Sequence, residues 1–100
     1  MGISETFATA VSGLQANANK FRLAASNVVN ANSDGYTAKV ASTSSQSPSG
    51  VVTHVSQSDQ PVDVAREFIN MIEARIGYGA NAQVIETTRG MSGSLLNLIA

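Results

Sequence analysis

The sequence predicts a mainly α-helical chain: two long terminal helices pairing as an antiparallel coiled-coil hairpin, with a short Ser-rich β-hairpin or loop inserted between them. Three observations lead there. Apolar residues recur at helical spacing over long runs at both ends. Breakers fall between the runs, around Asn30–Gly35 and at Pro48, Gly50 and Pro61. The stretch between the clusters is rich in Ser, Thr and Val and carries little charge. Three segments follow: an N-terminal helix with an Asn-rich junction (1–36), a short insert (37–60) and a C-terminal helix (61–100).

The first helix is expected from about Ser4 to Asn30, with Ser4 as its N-cap and Glu5 near the positive end of the helix dipole. Its seam is Phe7, Val11, Leu14, Ala18, Phe21, Ala25 and Val28, an unbroken alternation of four- and three-residue steps. Such a helix is roughly 40 Å long. Outside the seam its surface is mostly Ala, Ser, Thr, Asn and Gln. That surface fits an ordinary two-helix packing face, or a helix packed on several sides by neighbouring subunits. The sparse charge favours the second.

The helix ends in "NVVNANSDGY". Asn30 or Asn32 is expected in the left-handed conformation that closes a helix. Asp34-Gly35 supplies a turn, and Tyr36 brings an apolar ring with a polar tip. Asn27, Asn30 and Asn32 are expected to hydrogen-bond main chain at this corner.

In the insert, "TAKVAST" and "VVTHVSQ" alternate weakly, and "SSQSPSG" between them is a loop broken by Pro48 and Gly50. A short hairpin is expected; a flexible Ser-rich linker is the other reading. The second helix opens after Pro61, with Asp63 in its first turn, and extends from about Val62 to Leu98, roughly 55 Å. Its seam runs Val62, Ala65, Ile69, Ile72, Ile76 and Gly79, then Val84, Thr88, Met91, Leu95 and Leu98. Joining the halves takes consecutive four-residue steps at Ile76, Ala80, Val84 and Thr88, a stutter. Gly77 and Gly79 beside it imply a bend or a close backbone contact.

Composition removes several functions. A net charge of −1 and five aromatics give no nucleic-acid footprint. The absence of Cys excludes disulfides, thiol nucleophiles and Cys-ligated zinc. No apolar run approaches a membrane span, and "MGISETFATAVSGL" does not read as a cleavable secretory signal. His54 stands alone in a strand, without metal-ligand spacing around it. Glu67, Glu73 and Glu86 form no i, i+4 pair, and Glu67 and Glu73 read with Arg66 and Arg75 as a mixed solvated face. No Ser lies in a nucleophile elbow and no Gly-rich stretch is a phosphate loop. No catalytic, cofactor-binding or metal-ligating residue is expected, and no enzyme activity.

Both ends resemble the bacterial flagellar axial family of rod, hook and hook-junction proteins. "AVSGLQANANKFRLAASNVVNANSDGY" (Ala10–Tyr36) is similar to that family's first helix and junction motif. Ser12, Gly13, Leu14 and Ala16 match its opening, and Asn27, Asn30, Asn32, Gly35 and Tyr36 its end. Ser26, Val28, Val29 and Ser33 depart from it mildly. "VDVAREFINMIEARIGYGANAQVIETTRGMSGSLLNL" resembles the C-terminal motif at Val62, Asp63, Glu67, Phe68, Met71, Ile72, Arg75, Tyr78, Ala80, Asn81, Ile85, Met91 and Leu95–Leu98, with Ala74 in place of the usual Gln. The resemblance covers about two thirds of the chain. The short middle region is most like the small proximal rod proteins.

The resemblance implies a structural subunit of the flagellar basal-body rod. It would be exported from the cytoplasm by the flagellar type III apparatus and would polymerise in the periplasmic rod through its terminal helices. Its implied partners are other rod subunits, further copies of itself and the export apparatus. It implies no nucleic acid, small-molecule substrate or cofactor, and no integral membrane protein. Assembly would run through the seam residues Phe7, Val11, Leu14, Phe21, Val28, Ile69, Ile72, Ile76, Leu95 and Leu98, with the junction at Asn27, Asn30, Asn32, Gly35 and Tyr36. The other reading is a free-standing helical-hairpin adaptor or export chaperone derived from the same scaffold.

Overall fold

A computed structural model describes residues 2–47 and 49–99. Pro48, expected to help break the insert's loop, lies outside the described residues. The elements are α1 (Ile3–Val29), β1 (Lys39–Ser45), β2 (Val51–Gln57) and α2 (Val64–Ile99).

Helix α1 starts earlier than its expected cap. Gly2 stands at the N-cap in extended conformation with no side-chain cap bond, and Ser4 lies inside the first turn. The Gly2 carbonyl accepts both the Thr6 N–H (3.0 Å) and the Thr6 hydroxyl (3.1 Å), so the first turn closes there. At the other end Asn30 is the C-cap, but its φ is −96°, and among the described residues none other than Gly has positive φ. The expected left-handed Asn is therefore absent. Asn30 instead donates its side-chain amide to the Ser26 carbonyl (2.9 Å), which satisfies a helix-end acceptor without the left-handed turn. Three short turns follow, Ala31 N–H to Val28, Ser33 N–H to Asn30 and Tyr36 N–H to Ser33. The positive φ falls at Gly35 (72°), where there is no Cβ to clash.

Helix α2 starts two residues later than expected because Asp63 caps it. The Asp63 carboxylate accepts the Arg66 N–H (3.2 Å) and its carbonyl accepts the Glu67 N–H (3.0 Å). The helix then runs 36 residues without a break through Gly77 and Gly79.

The helices lie side by side and antiparallel. Gly13 faces Asn81, Asn17 faces Gly77, and Asn27 bonds Glu67, all in one register. The α1 line facing α2 is therefore Ala10, Gly13, Asn17, Lys20, Ala24 and Asn27. This line has the expected alternation of three and four, displaced by one residue from the Phe7–Val28 seam, or about 100° around the helix. On α2 the facing line is Glu67, Asn70, Ala74, Gly77, Asn81, Ile85, Thr88 and Ser92. It too carries consecutive four-residue steps, at Gly77, Asn81 and Ile85, one residue on from the expected stutter.

Strands β1 and β2 form a two-stranded antiparallel sheet in which Lys39 pairs with Gln57 and Ser45 with Val51. The sheet lies on α1 and not on α2. Its base is held at Asn27 and its tip at Ser12, whose hydroxyl accepts the Val51 N–H (3.0 Å). The two lengths agree: seven strand residues span about 23 Å, and the fifteen-residue rise from Ser12 to Asn27 spans about 22 Å. Gly50, at φ 103°, lets the turn press on Ser12, where a Cβ would come within 2.8 Å of the hydroxyl.

The molecule is a slab of 63 × 24 × 14 Å. Measured over the backbone, its thinnest dimension leaves little room for an interior. A single layer cannot surround large side chains, and domains ordinarily need two. Accordingly the buried apolar residues among those described are four alanines: Ala10, Ala16, Ala24 and Ala74.

Candidate functional site: the Asn27 corner and the outward faces

At the corner, Asn27 is 1 % exposed and uses the whole hydrogen-bonding capacity of its amide. Its Nδ2 donates to the Lys39 carbonyl (2.9 Å) and to Glu67 Oε2. Its Oδ1 accepts the Lys39 N–H (3.1 Å) and the Tyr36 hydroxyl (2.7 Å). Because Lys39 offers both a donor and an acceptor to the same amide, only one orientation of the amide satisfies the pair. One side chain thus joins the end of α1, the turn, the start of β1 and the first turns of α2. Gly35 sets the reversal that returns Tyr36 to it. Asn27 and Asn30 bond main chain as expected, whereas Asn32 is exposed and makes no side-chain hydrogen bond among the described residues.

Glu67 is a correction to the sequence reading. It was expected on a solvated face, yet it is 8 % exposed. Its Oε2 accepts from Asn27 and its Oε1 from Asn70 (2.9 Å). A carboxylate suits this place because both oxygens must accept; a glutamine would turn a donor toward one of the two amides. Nothing in the spacing of the sequence marked Glu67, because its partner Asn27 lies forty residues away on the other helix.

Farther along the helices the same arrangement occurs twice. Gly13-Leu14-Gln15-Ala16-Asn17 on α1 meets Gly77-Tyr78-Gly79-Ala80-Asn81 on α2. Each Asn donates to the carbonyl of its own helix's Gly, at 3.0 Å for Asn17 and 2.9 Å for Asn81. Each amide also lies against the other helix's Gly, where a Cβ would come within 2.6 Å at Gly13 and 2.7 Å at Gly77. The two pairs form a reciprocal clasp. Of the two readings open for the glycines, Gly77 is a close contact, while Gly79 has open space around it.

With the inner faces lined by small and polar residues, the large apolar side chains lie elsewhere. Phe7 and Phe21 are exposed, and Val11, Leu14 and Val28 are half-buried. Ile69, Ile72, Ile76, Leu95 and Leu98 are all exposed, Ile76 to 67 %. On α2 the Ile69–Ile72–Ile76 stripe lies on the side opposite the line that meets α1, by the 100° advance per residue. Eighteen large hydrophobic residues of those described are exposed. A soluble helical hairpin has the reverse arrangement, with its apolar stripes turned inward.

An open groove of about 700 Å³ lies between α1, the base of the hairpin and the start of α2. Lys20, Lys39 and Arg66 face Asp63, Glu67 and Glu73 around it, so its charges balance. His54 Nε2 is 3.2 Å from the Ser44 hydroxyl on the exposed side of the sheet. Among the described residues no group of three or more His, Asp or Glu could hold a metal ion, and no helix is long and apolar enough to cross a membrane.

Residues 58–98, about two fifths of the chain, match the family described as flagellar basal body rod FlgEFG protein C-terminal. None of the curated proteins compared with the chain matches it. The matched segment spans Asp63, Glu67, the Gly77/Asn81 half of the clasp and the outward Ile69–Ile72–Ile76 stripe; the Ala10–Tyr36 resemblance lies outside it. The matched family is structural and not one of enzymes. Through residues 58–98, most of them in its C-terminal helix, the chain is similar to the flagellar basal body rod family.

Proposed function

We propose that the chain is a structural subunit of the flagellar basal-body rod. It leaves the cytoplasm through the flagellar export apparatus and polymerises through its terminal helices with copies of itself and with other rod subunits. One observation carries this reading: small residues make up the buried apolar core of the hairpin, and most of the large apolar residues of both helices are exposed. Apolar surface on this scale marks an interaction site, and its burial between subunits is the driving force for association. The three–four spacing on the inner faces supports an antiparallel coiled-coil hairpin as the building block. Phe7, Val11, Leu14, Phe21, Val28, Ile69, Ile72, Ile76, Leu95 and Leu98 are its assembly residues. The Asn27 corner, with Asn30, Asn32, Gly35 and Tyr36, fixes the shape that is assembled.

The test separates folding from assembly. Ile72→Glu with Ile76→Glu changes two exposed positions, so in dilute solution, where the chain is unassociated, the helical signal should match that of the parent chain. Incorporation into rods and motility should be lost. Normal incorporation of that variant would remove the reading.

A further inference from the structure

The inference concerns the edges of the two-stranded sheet, and it rests on the reading of the chain as a polymerising subunit. The ladder is fixed at both ends: the Ser58 N–H donates to the Ala38 carbonyl (3.0 Å) and the Gln46 N–H to the Gly50 carbonyl (2.9 Å). Antiparallel pairs alternate between bonded and non-bonded. The pairs Val40–Ser56, Ser42–His54 and Ser44–Val52 are therefore the bonded ones. Lys39, Ala41, Thr43 and Ser45 on β1, and Val51, Thr53, Val55 and Gln57 on β2, turn their main-chain groups outward along the two edges.

Helix α1 occupies one end of each edge. The Asn27 amide bonds both the N–H and the carbonyl of Lys39, as a residue of a third strand would. The Ser12 hydroxyl takes the Val51 N–H. The rest is open: Ala41, Thr43 and Ser45 on one side and Thr53, Val55 and Gln57 on the other have no main-chain partner beyond the sheet among the described residues. Open edges are ordinarily blunted by charge, proline or bulges. Segments 41–45 and 53–57 contain no Lys, Arg, Asp, Glu or Pro. The one charged residue within the strands, Lys39, sits where Asn27 already closes the edge.

We infer that the β2 edge of one copy pairs with the β1 edge of the next. The two open windows are equal in length and uncharged. They also share a pleat: both expose odd-numbered residues, so the sheet continues antiparallel with Thr53, Val55 and Gln57 opposite Ser45, Thr43 and Ala41 of the neighbour. Every side chain then keeps its face, with the half-buried Ala41 and Thr53 still on the α1 side. The occupant is a second copy because each chain carries both complementary edges. Such a contact is heterologous and does not close, which suits an axial polymer. It also supplies the third strand that an isolated hairpin lacks for stability.

Two variants test this in rods isolated from cells. The chain has no cysteine, so Thr43→Cys and Val55→Cys chains expressed together report only on contacts between copies. A disulfide-linked dimer of the two should form under oxidation, and a Ser42→Cys with Val55→Cys mixture, whose thiols lie on opposite faces, should give none. Thr43→Pro removes only an outward N–H and leaves the hairpin's own ladder whole. It should reduce incorporation into rods about tenfold, the scale of one lost main-chain bond plus the ring's bulk. Rods that contain the chain but yield no such dimer, or only an adduct with a different protein, overturn the edge pairing and leave the rod reading standing. Absence of the chain from rods overturns both.

Discussion

At the residue scale, the amide of Asn27 ties the end of α1 to Tyr36, Lys39 and Glu67. Its importance was legible, because three Asn in six residues exceed what a helix stop requires. Its partners were not, since Glu67 lies forty residues on and helical periodicity carries no sign of a polar bond between helices. Asn32 in the same cluster stays exposed, so spacing alone did not sort the three. Asn27→Ala leaves the Tyr36 hydroxyl, both main-chain groups of Lys39 and one Glu67 oxygen without their partner. A loss of about 2–4 kcal/mol is expected in chemical denaturation, against about 1 kcal/mol for Tyr36→Phe, which removes one bond. Equal losses for the two would show that the amide is not the hub.

At the scale of elements, both helices and the hairpin were readable, and their ends were displaced by local bonds. Asp63 moved the start of α2, and Asn30's bond back to Ser26 replaced a left-handed residue. The packing face was displaced, by one residue on α1 and to the opposite side at the start of α2, because large side chains marked the seam while small ones made it. Close approach of two helices favours Gly and Ala, which a search for apolar stripes undervalues. The recurrence of Gly-x-x-x-Asn at Gly13 and Gly77 was the signal that went unread. The glycines also separate by environment. Gly79→Ala, with open space around it, should raise helix stability by about 1 kcal/mol. Gly77→Ala meets the Asn17 amide, and its helix gain should be outweighed by a strain of about 1–3 kcal/mol. Thermal melts of the two variants should shift in opposite directions; a shift of the same sign and size would remove the clasp from the account.

For the whole molecule, the slab explains why composition already pointed beyond a monomer. A thin layer whose buried apolar residues are alanines encloses little apolar surface, while most of its large apolar side chains are exposed. The sparse charge on the helices was the legible part of this. The direction in which Phe7, Phe21, Ile72 and Ile76 point was not, because periodicity locates a stripe without saying what covers it. The account places most of the stabilising burial between copies, so structure and association should rise together with concentration. Sedimentation velocity of the purified chain over a wide concentration range, with helicity read on the same samples, measures this directly. Species that grow without a fixed size, while helicity and melting temperature increase, are the expected result. A stable monomer, or a single closed dimer whose melting does not depend on concentration, would contradict it.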